Sequence, residues 1–399
     1  MTHHQSGGPA FEIPFAQRMA RLGTETAFVV LAKAKALEAQ GRSVIHLEIG
    51  EPDFATPGNI VEAGIRALRD GHTHYTAAAG MPDIRETVAR YSGEFRGLKF
   101  APEQVVITPG AKPIMFYTIM ALINEGDEVI NPDPGFPIYG SVINFVGGRP
   151  VPLRLRMENE FRMDVDELLG LITPRTRLII INSPQNPTGS VLTRQDLEAL
   201  AQAAVKWNIM VLSDEIYSRI LYEGTHVSIA SLPGMTERTI ILDGMSKTYA
   251  MTGWRLGYGV MPRKLADAVT RLQTNVVSCT AAFGQRAIPE ALFGPQDEPA
   301  HMVAEFKRRR DVIVEGLNKI SGFRCLRPAG AFYAFPDVRQ LGLSSSVLED
   351  RILNEAGVAV LSGTSFGSFG EGFLRLSYAN SIENLRTALD RLNEFAARL

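Results

Sequence analysis

Thr239-Ile240-Ile241-Leu242-Asp243-Gly244-Met245-Ser246-Lys247-Thr248-Tyr249-Ala250-Met251-Thr252-Gly253-Trp254-Arg255 is the stretch that decides the fold. It opens on a continuous apolar run, without the alternation of a half-exposed strand. Such a run reads as a strand buried on both faces. The run stops at Asp243-Gly244, and Lys247 follows at once. A strand covered on both sides needs helices above and below its sheet.

The same pattern recurs outward from this point. Val105-Val106-Ile107 ends at Thr108-Pro109-Gly110, and a helical pattern follows through Met115 and Leu122. Glu128-Val129-Ile130 ends at Asn131-Pro132, and Leu178-Ile179-Ile180-Ile181 ends at Asn182-Ser183-Pro184. A helix near Thr193 to Trp207 leads to Met210-Val211-Leu212, which ends at Ser213-Asp214-Glu215. Leu256 to Val260 forms a further run. Alternating strands and helices predict an α/β fold with a mainly parallel, helix-flanked sheet. Ligands of such sheets sit at the carboxyl ends of the strands, where the polar residues here collect.

The texture changes after about residue 290. A charged helical stretch, Pro299 to Ile320, leads to short β-rich segments at Phe332–Phe335, Val358–Leu361 and Phe373–Ser377, then a last helix. This reads as a smaller α+β domain. The expected division is residues 1–48 as an amino-terminal arm and part of the small domain, 49–290 as the large domain, and 291–399 as the rest of the small domain. Residues 1 to about 12 are rich in His and Gly and read as mobile. A helix is expected from Ala27 to Gln40, stopped by Gly41.

Composition narrows the function. The 399 residues are 45% hydrophobic and 21% charged, which excludes a disordered or fibrous chain. Forty-one basic and 43 acidic residues leave a net charge of −2, so no overall field favours nucleic acid or an anionic membrane. The basic run Lys307 to Arg310 lies in a helical pattern and reads as a solvated face. Cys279 and Cys325 read as two buried free thiols, too few for a disulfide framework. No leader pattern and no apolar stretch long enough to span a bilayer stands out, so a cytoplasmic protein is expected. His72 and His74 are close, but nothing nearby completes a metal site, so no metal is expected. His46 lies in a strand pattern and reads as structural.

Lys247 is the centre of the chemistry. An ammonium at the mouth of a buried sheet is costly, and one use for it is a Schiff base, which needs an amine that loses its charge easily. Ser246-Lys247-Thr248 superficially resembles a phosphate-binding P-loop, but that loop needs Gly directly before the Lys. Asp214 and Tyr217 are spaced to share one face of a helical turn. Asp214 could keep a pyridinium protonated or simply cap a helix. Asn186-Pro187-Thr188-Gly189 reads as a turn or as an amide facing a phenolate. Gly110, Ala111 and Lys112 open a helix whose free amides suit a phosphate, with Arg255 as counter-charge.

Together these strings resemble the class I/II aminotransferases of the fold type I pyridoxal-phosphate group, in particular the bacterial aspartate aminotransferase-like branch. The resemblance runs from about Ile45-His46-Leu47-Glu48-Ile49-Gly50-Glu51-Pro52-Asp53-Phe54 to Leu374-Arg375-Leu376. It implies a homodimer that exchanges an amino group between an L-amino acid and a 2-oxo acid by a ping-pong mechanism. It implies that Lys247 carries pyridoxal 5'-phosphate as a Schiff base and shuttles the α-proton. Asp214 would hold the ring nitrogen, while Asn186 and Tyr217 contact the phenolic oxygen. Gly110, Ala111, Lys112, Ser246 and Arg255 would surround the phosphate. Phe136, where many relatives have Trp or Tyr, would stack on the ring, and Arg375 and Gly50 would meet the substrate α-carboxylate. Tyr75 matches a residue reaching the neighbouring subunit's phosphate, and Ser278 is a second candidate for such a role.

Two rivals use the same residues differently. A β-elimination lyase would release ammonia without an oxo-acid acceptor. A non-catalytic regulator on this fold would carry a DNA-binding module, for which this chain has no spare segment. Lys112 favours aspartate or glutamate with 2-oxoglutarate, since relatives use a lysine there for a distal carboxylate. Phe28 favours alanine or an aromatic donor instead.

Overall fold

A computed structural model describes residues 12–399. The reading of the first dozen residues as mobile, and the absence of a leader there, therefore fall outside the described residues except at Glu12. The strands are β1 (Ile45–His46), β2 (Val105–Thr108), β3 (Glu128–Asp133), β4 (Arg149–Arg154), β5 (Thr176–Asn182), β6 (Met210–Asp214), β7 (Thr239–Gly244), β8 (Gly257–Val260), β9 (Tyr333–Ala334), β10 (Val358–Ala359), β11 (Leu361–Ser362) and β12 (Leu374–Ser377). The α-helices are α1 (Thr26–Glu38), α2 (Gly58–Arg69), α3 (Pro82–Arg96), α4 (Lys112–Leu122), α5 (Ile138–Phe145), α6 (Val165–Leu171), α7 (Arg194–Trp207), α8 (Arg263–Val277), α9 (Ala282–Phe293), α10 (Asp297–Leu317), α11 (Ser345–Arg351) and α12 (Ile382–Ala396).

Seven strands form one sheet in the order β2-β8-β7-β6-β5-β3-β4. All neighbours run parallel except β8, which is antiparallel to both β2 and β7. The central strands carry Leu178, Ile179, Val211, Leu212 and Ile240 at zero exposure, so both faces are covered. Each such side chain contributes about 1.5–3 kcal/mol by leaving water. The crossover order matters for function. It brings the carboxyl ends of β2, β3, β5, β6 and β7 to one edge. Because β8 runs the other way, its beginning lies at that edge too, with Gly257 opposite Thr108 and Gly244.

A second, antiparallel sheet has the order β11-β12-β9, and β1 pairs in parallel with β10. The chain before residue 47 thus joins the carboxyl-terminal third. Helix α7 begins at a capping box, with Thr193 accepting from Asp196 N at 3.1 Å and Asp196 accepting from Thr193 N at 2.8 Å.

Two readings need correction. The Lys307–Arg310 run is not a solvated face: Arg309 and Arg310 are buried. Arg309 meets Asp53 at 2.7 Å and Glu305 at 3.0 Å, while Arg310 meets Asp311 at 2.9 Å. Helical periodicity cannot see carboxylates that arrive from elsewhere, and a paired guanidinium tolerates burial. Of the two cysteines, Cys325 is buried but Cys279 is half-exposed, with its sulfur accepting from Thr76 N at 3.4 Å.

Candidate active site

A cleft of about 840 Å³ opens between the carboxyl edge of the large sheet and the small antiparallel sheet. Gly50, Ala111, Lys112, Phe136, Asn186, Asp214, Tyr217, Ser246, Lys247, Arg255 and Arg375 all line it. These residues come from seven separate stretches of sequence, gathered by the strand order. Gly110 lies immediately beneath, at φ +89°, where a Cβ would run into the Arg255 guanidinium.

Lys247 follows the end of β7. Its Nζ donates to the Gly50 carbonyl at 2.5 Å. Burial pulls its pKa down to about 8, with the Arg375 and Lys112 charges acting in the same direction. The amine is therefore close to losing its proton near neutral pH, as a carbonyl-seeking lysine requires.

Asp214 ends β6, and Tyr217 lies in the turn that follows. The expected shared helical face is a turn instead, because the chain leaves the strand without entering a helix. Asp214 Oδ2 accepts from Tyr139 Oη at 2.6 Å, and Oδ1 accepts from Ile216 N at 3.2 Å. Burial pushes this carboxyl up to about 6, against the pull of both hydrogen bonds. A buried carboxyl with no cation beside it among the described residues is a place for one. Tyr217 Oη shares a hydrogen bond with Tyr333 Oη at 2.7 Å, and burial holds both phenols protonated.

Arg375 enters from β12 across the cleft. Its Nη1 donates to Asn186 Oδ1 at 3.2 Å and its Nη2 to the Glu48 carbonyl. Its Nε is buried without a partner among the described residues. Its guanidinium carbon lies 4.6 Å from the Tyr333 ring centre and 4.8 Å from that of Phe366. Asn186 is held by its own N–H, which donates to Asn182 Oδ1 at 2.8 Å.

The phosphate end of the cleft is made by a close crossing. A Cβ on Gly257 would overlap Gly110 and Ala111, so the start of α4 can press against the start of β8. Arg255, at φ 55°, donates to the Thr252 carbonyl at 2.9 Å and to the Pro109 carbonyl at 3.3 Å. Ser246 is buried between them and Lys247.

Tyr75 and Ser278 do not line the cleft. Tyr75 is 88% exposed, and Ser278, at φ 63°, is exposed at the end of α8. Several residues of the site escaped the sequence reading. Tyr333 and Glu25 line the cleft and Tyr139 is buried behind Asp214; none carries a motif, and each meets its partner only through the fold. His46 is half-buried in β1 and lines the cleft, with ring nitrogens 2.8 Å from Glu48 and 3.1 Å from Glu38.

The residues fit pyridoxal phosphate on the grounds of this geometry. An amine near pKa 8 faces the interior of the cleft. A buried carboxyl stands without a cation among the described residues. An arginine and the crossing at Gly110, whose own N–H is taken by the Thr108 carbonyl at 2.8 Å, frame the helix start at Ala111 and Lys112, and a guanidinium nitrogen without a partner among the described residues stands opposite.

The profile of the family described as aminotransferase class I and II matches residues 42–392. An aspartate aminotransferase of Geobacillus stearothermophilus is 38% identical, covering 95% of this chain and 98% of its own. An arginine–pyruvate transaminase of Pseudomonas aeruginosa is 40% identical, covering 96% and 98%. The solved aspartate aminotransferase of Thermus thermophilus with maleate superposes at a TM-score of 0.91 and 37% identity, over 96% of this chain and all of that one. The chain belongs to the class I and II aminotransferases and is a pyridoxal-phosphate-dependent transaminase of fold type I.

Proposed function

We propose that this transaminase works on a dicarboxylic pair, aspartate or glutamate with 2-oxoglutarate, and that Lys112 reads the distal carboxylate. The observation that carries this is the position of Lys112. It is the first residue of α4, it lines the same cleft as Arg375, and its ammonium already holds the carboxylate of Glu25. An ammonium that accepts a carboxylate from its own chain is suited to accept one from a substrate.

The other roles follow from the chemistry of each group. Bound in the cleft, pyridoxal phosphate supplies an electron sink for the bond between the substrate Cα and its hydrogen. Asp214, as an anion, holds the ring nitrogen protonated. Asn186 and Tyr217 would donate to the phenolic oxygen, and Phe136 would stack on the ring. The amides at Ala111 and Lys112, the Ser246 hydroxyl and the Arg255 guanidinium would hold the phosphate, with Gly110 giving Arg255 the room to approach. Arg375 grips the α-carboxylate as a fork, next to the Gly50 backbone. Lys247 carries the cofactor and moves the proton at Cα as general base.

We read the protein as a cytoplasmic homodimer with residues 49–290 as the cofactor-binding domain and the two flanking segments as the smaller one. Tyr75 then reaches the phosphate of the neighbouring subunit, and its exposed ring agrees with that role. Mixing Tyr75→Phe and Lys247→Ala subunits should restore activity through hybrid dimers holding one intact site. No recovery after subunit exchange would remove the shared site.

A second reading, a donor with a neutral side chain, rests on the wall that α1 contributes to the cleft: Ala27, Phe28 and Leu31. Lys112→Ala separates the two. Loss of a charged hydrogen bond worth about 2–3 kcal/mol should lower kcat/KM for aspartate about 30–150-fold and leave alanine nearly unchanged. An equal loss for both would assign Lys112 to the cofactor. A screen of amino donors with 2-oxoglutarate and with pyruvate, scoring ammonia release, also separates transfer from β-elimination.

A further inference from the structure

Glu25 sits at the position preceding α1, where a side chain usually turns back to cap the helix. It makes no capping bond. Its carboxylate instead crosses the cleft mouth to Lys112, 87 positions along the chain. The pair is only partly shielded, with the Glu25 side chain 21% exposed and the Lys112 side chain 45%. The Phe136 ring centre lies 5.4 Å from the same ammonium. Just beyond Glu25, α1 turns apolar and presents Ala27, Phe28 and Leu31 to the cleft.

These facts pose a physical problem. A transaminase takes two different substrates in turn through one site. A neutral side chain in this cleft would leave the Lys112 charge without a partner beside an apolar wall, which is costly. A distal carboxylate would pair with it, but must compete with any carboxylate already there. Glu25 meets the first requirement and creates the second. Its own charge also reaches Lys247 and Arg375 across the cleft.

We propose that Glu25 is a specificity-determining residue: a built-in counter-ion that holds Lys112 when the substrate side chain is neutral and yields it to the distal carboxylate of a dicarboxylic substrate. The proposal rests on the reading of Lys112 given above. It predicts that one site serves both substrate types, and that Glu25 sets the ratio between them.

The test compares Glu25→Gln with the unaltered enzyme, with Glu25→Ala as a second variant. Removing the competing charge should raise kcat/KM for aspartate about three- to fivefold, in keeping with a partly exposed ion pair. The value for alanine or phenylalanine should fall by a similar factor. Succinate, an unreactive dicarboxylate, should bind about three- to fivefold tighter by calorimetry. In a Lys112→Met background Glu25→Gln should no longer move the aspartate-to-alanine ratio. Equal changes for both substrate types, weaker succinate binding, or a shift in the ratio that persists without Lys112 would each overturn the proposal. If Lys112→Met itself leaves the aspartate-to-alanine ratio unchanged, the reading of Lys112 fails. If that ratio moves with Lys112 but not with Glu25, only the counter-ion fails.

Discussion

Asp214 and Glu215 are adjacent, acidic and buried, yet they sit in contrasting surroundings. Glu215 belongs to a closed ionic cluster behind the cleft. Its Oε2 takes Arg96 Nε at 2.8 Å and His226 Nε2 at 2.9 Å, and its Oε1 takes Ser213 Oγ at 3.0 Å and Ser228 Oγ at 2.5 Å. Arg96 also donates to Asp243 at 2.8 Å, which accepts from Tyr258 Oη at 3.0 Å. Despite burial, the Arg96 and His226 charges hold the Glu215 carboxyl well below its usual range. Asp214 has one phenol and one amide, and burial lifts it to about 6. The protein itself supplies Glu215 with a cation, whereas Asp214 has none among the described residues. The difference teaches that one carboxylate serves the fold and the other is reserved for a bound group.

The contrast can be broken by exchanging what each side loses. Asp214→Asn should lower kcat about 10³-fold, since a close ion pair at an effective dielectric near 20 is worth about 4 kcal/mol. The cofactor-free variant should be no less stable to urea at pH 7, because a buried uncompensated charge has been removed. Arg96→Met should do the reverse. It leaves two buried carboxylates without their cation, so the loss in urea denaturation should be about 3 kcal/mol, with the substrate preference unchanged. His226→Gln removes one partner of Glu215 and should cost about 1 kcal/mol in the same assay.

Acidity sharpens the comparison further. In the cofactor-free protein the Asp214 carboxyl takes up a proton as pH falls through about 6, and a protonated ring can bind beside it only by displacing that proton. Cofactor affinity should therefore weaken below pH 6 in the native chain. In Asp214→Asn that acid limb should vanish. Glu215 behaves oppositely: its folded value lies below the ordinary 4.5, so its contribution to stability is present above that pH. It is lost only as pH falls through the depressed value.

How much of this was legible in the sequence follows the same division. Continuous apolar runs announce strands buried on both faces, and the polar residues that close them mark the cleft. Lys247, Asp214, Asn186 and Arg255 are therefore visible from local pattern. Partners that the fold supplies from a distance are not. Tyr139 reaches Asp214 from 75 positions away and Arg309 reaches Asp53 from 256. Nothing near either residue signals the meeting. For the same reason the Lys307–Arg310 run reads as solvated when half of it is buried. Antiparallel β8 is a further case: only pairing reveals the reversed direction that brings Arg255 to the cleft.

The central claim is that the open side of this contrast is built around Lys247. Reduction of the cofactor-loaded enzyme with borohydride, followed by peptide mapping, tests it most directly. The account predicts loss of the visible absorption band and a pyridoxyl label on the peptide that contains Lys247, with no label in Lys247→Ala. A label on Lys112 or any other lysine, or a band that survives in Lys247→Ala with full transfer activity, would contradict it.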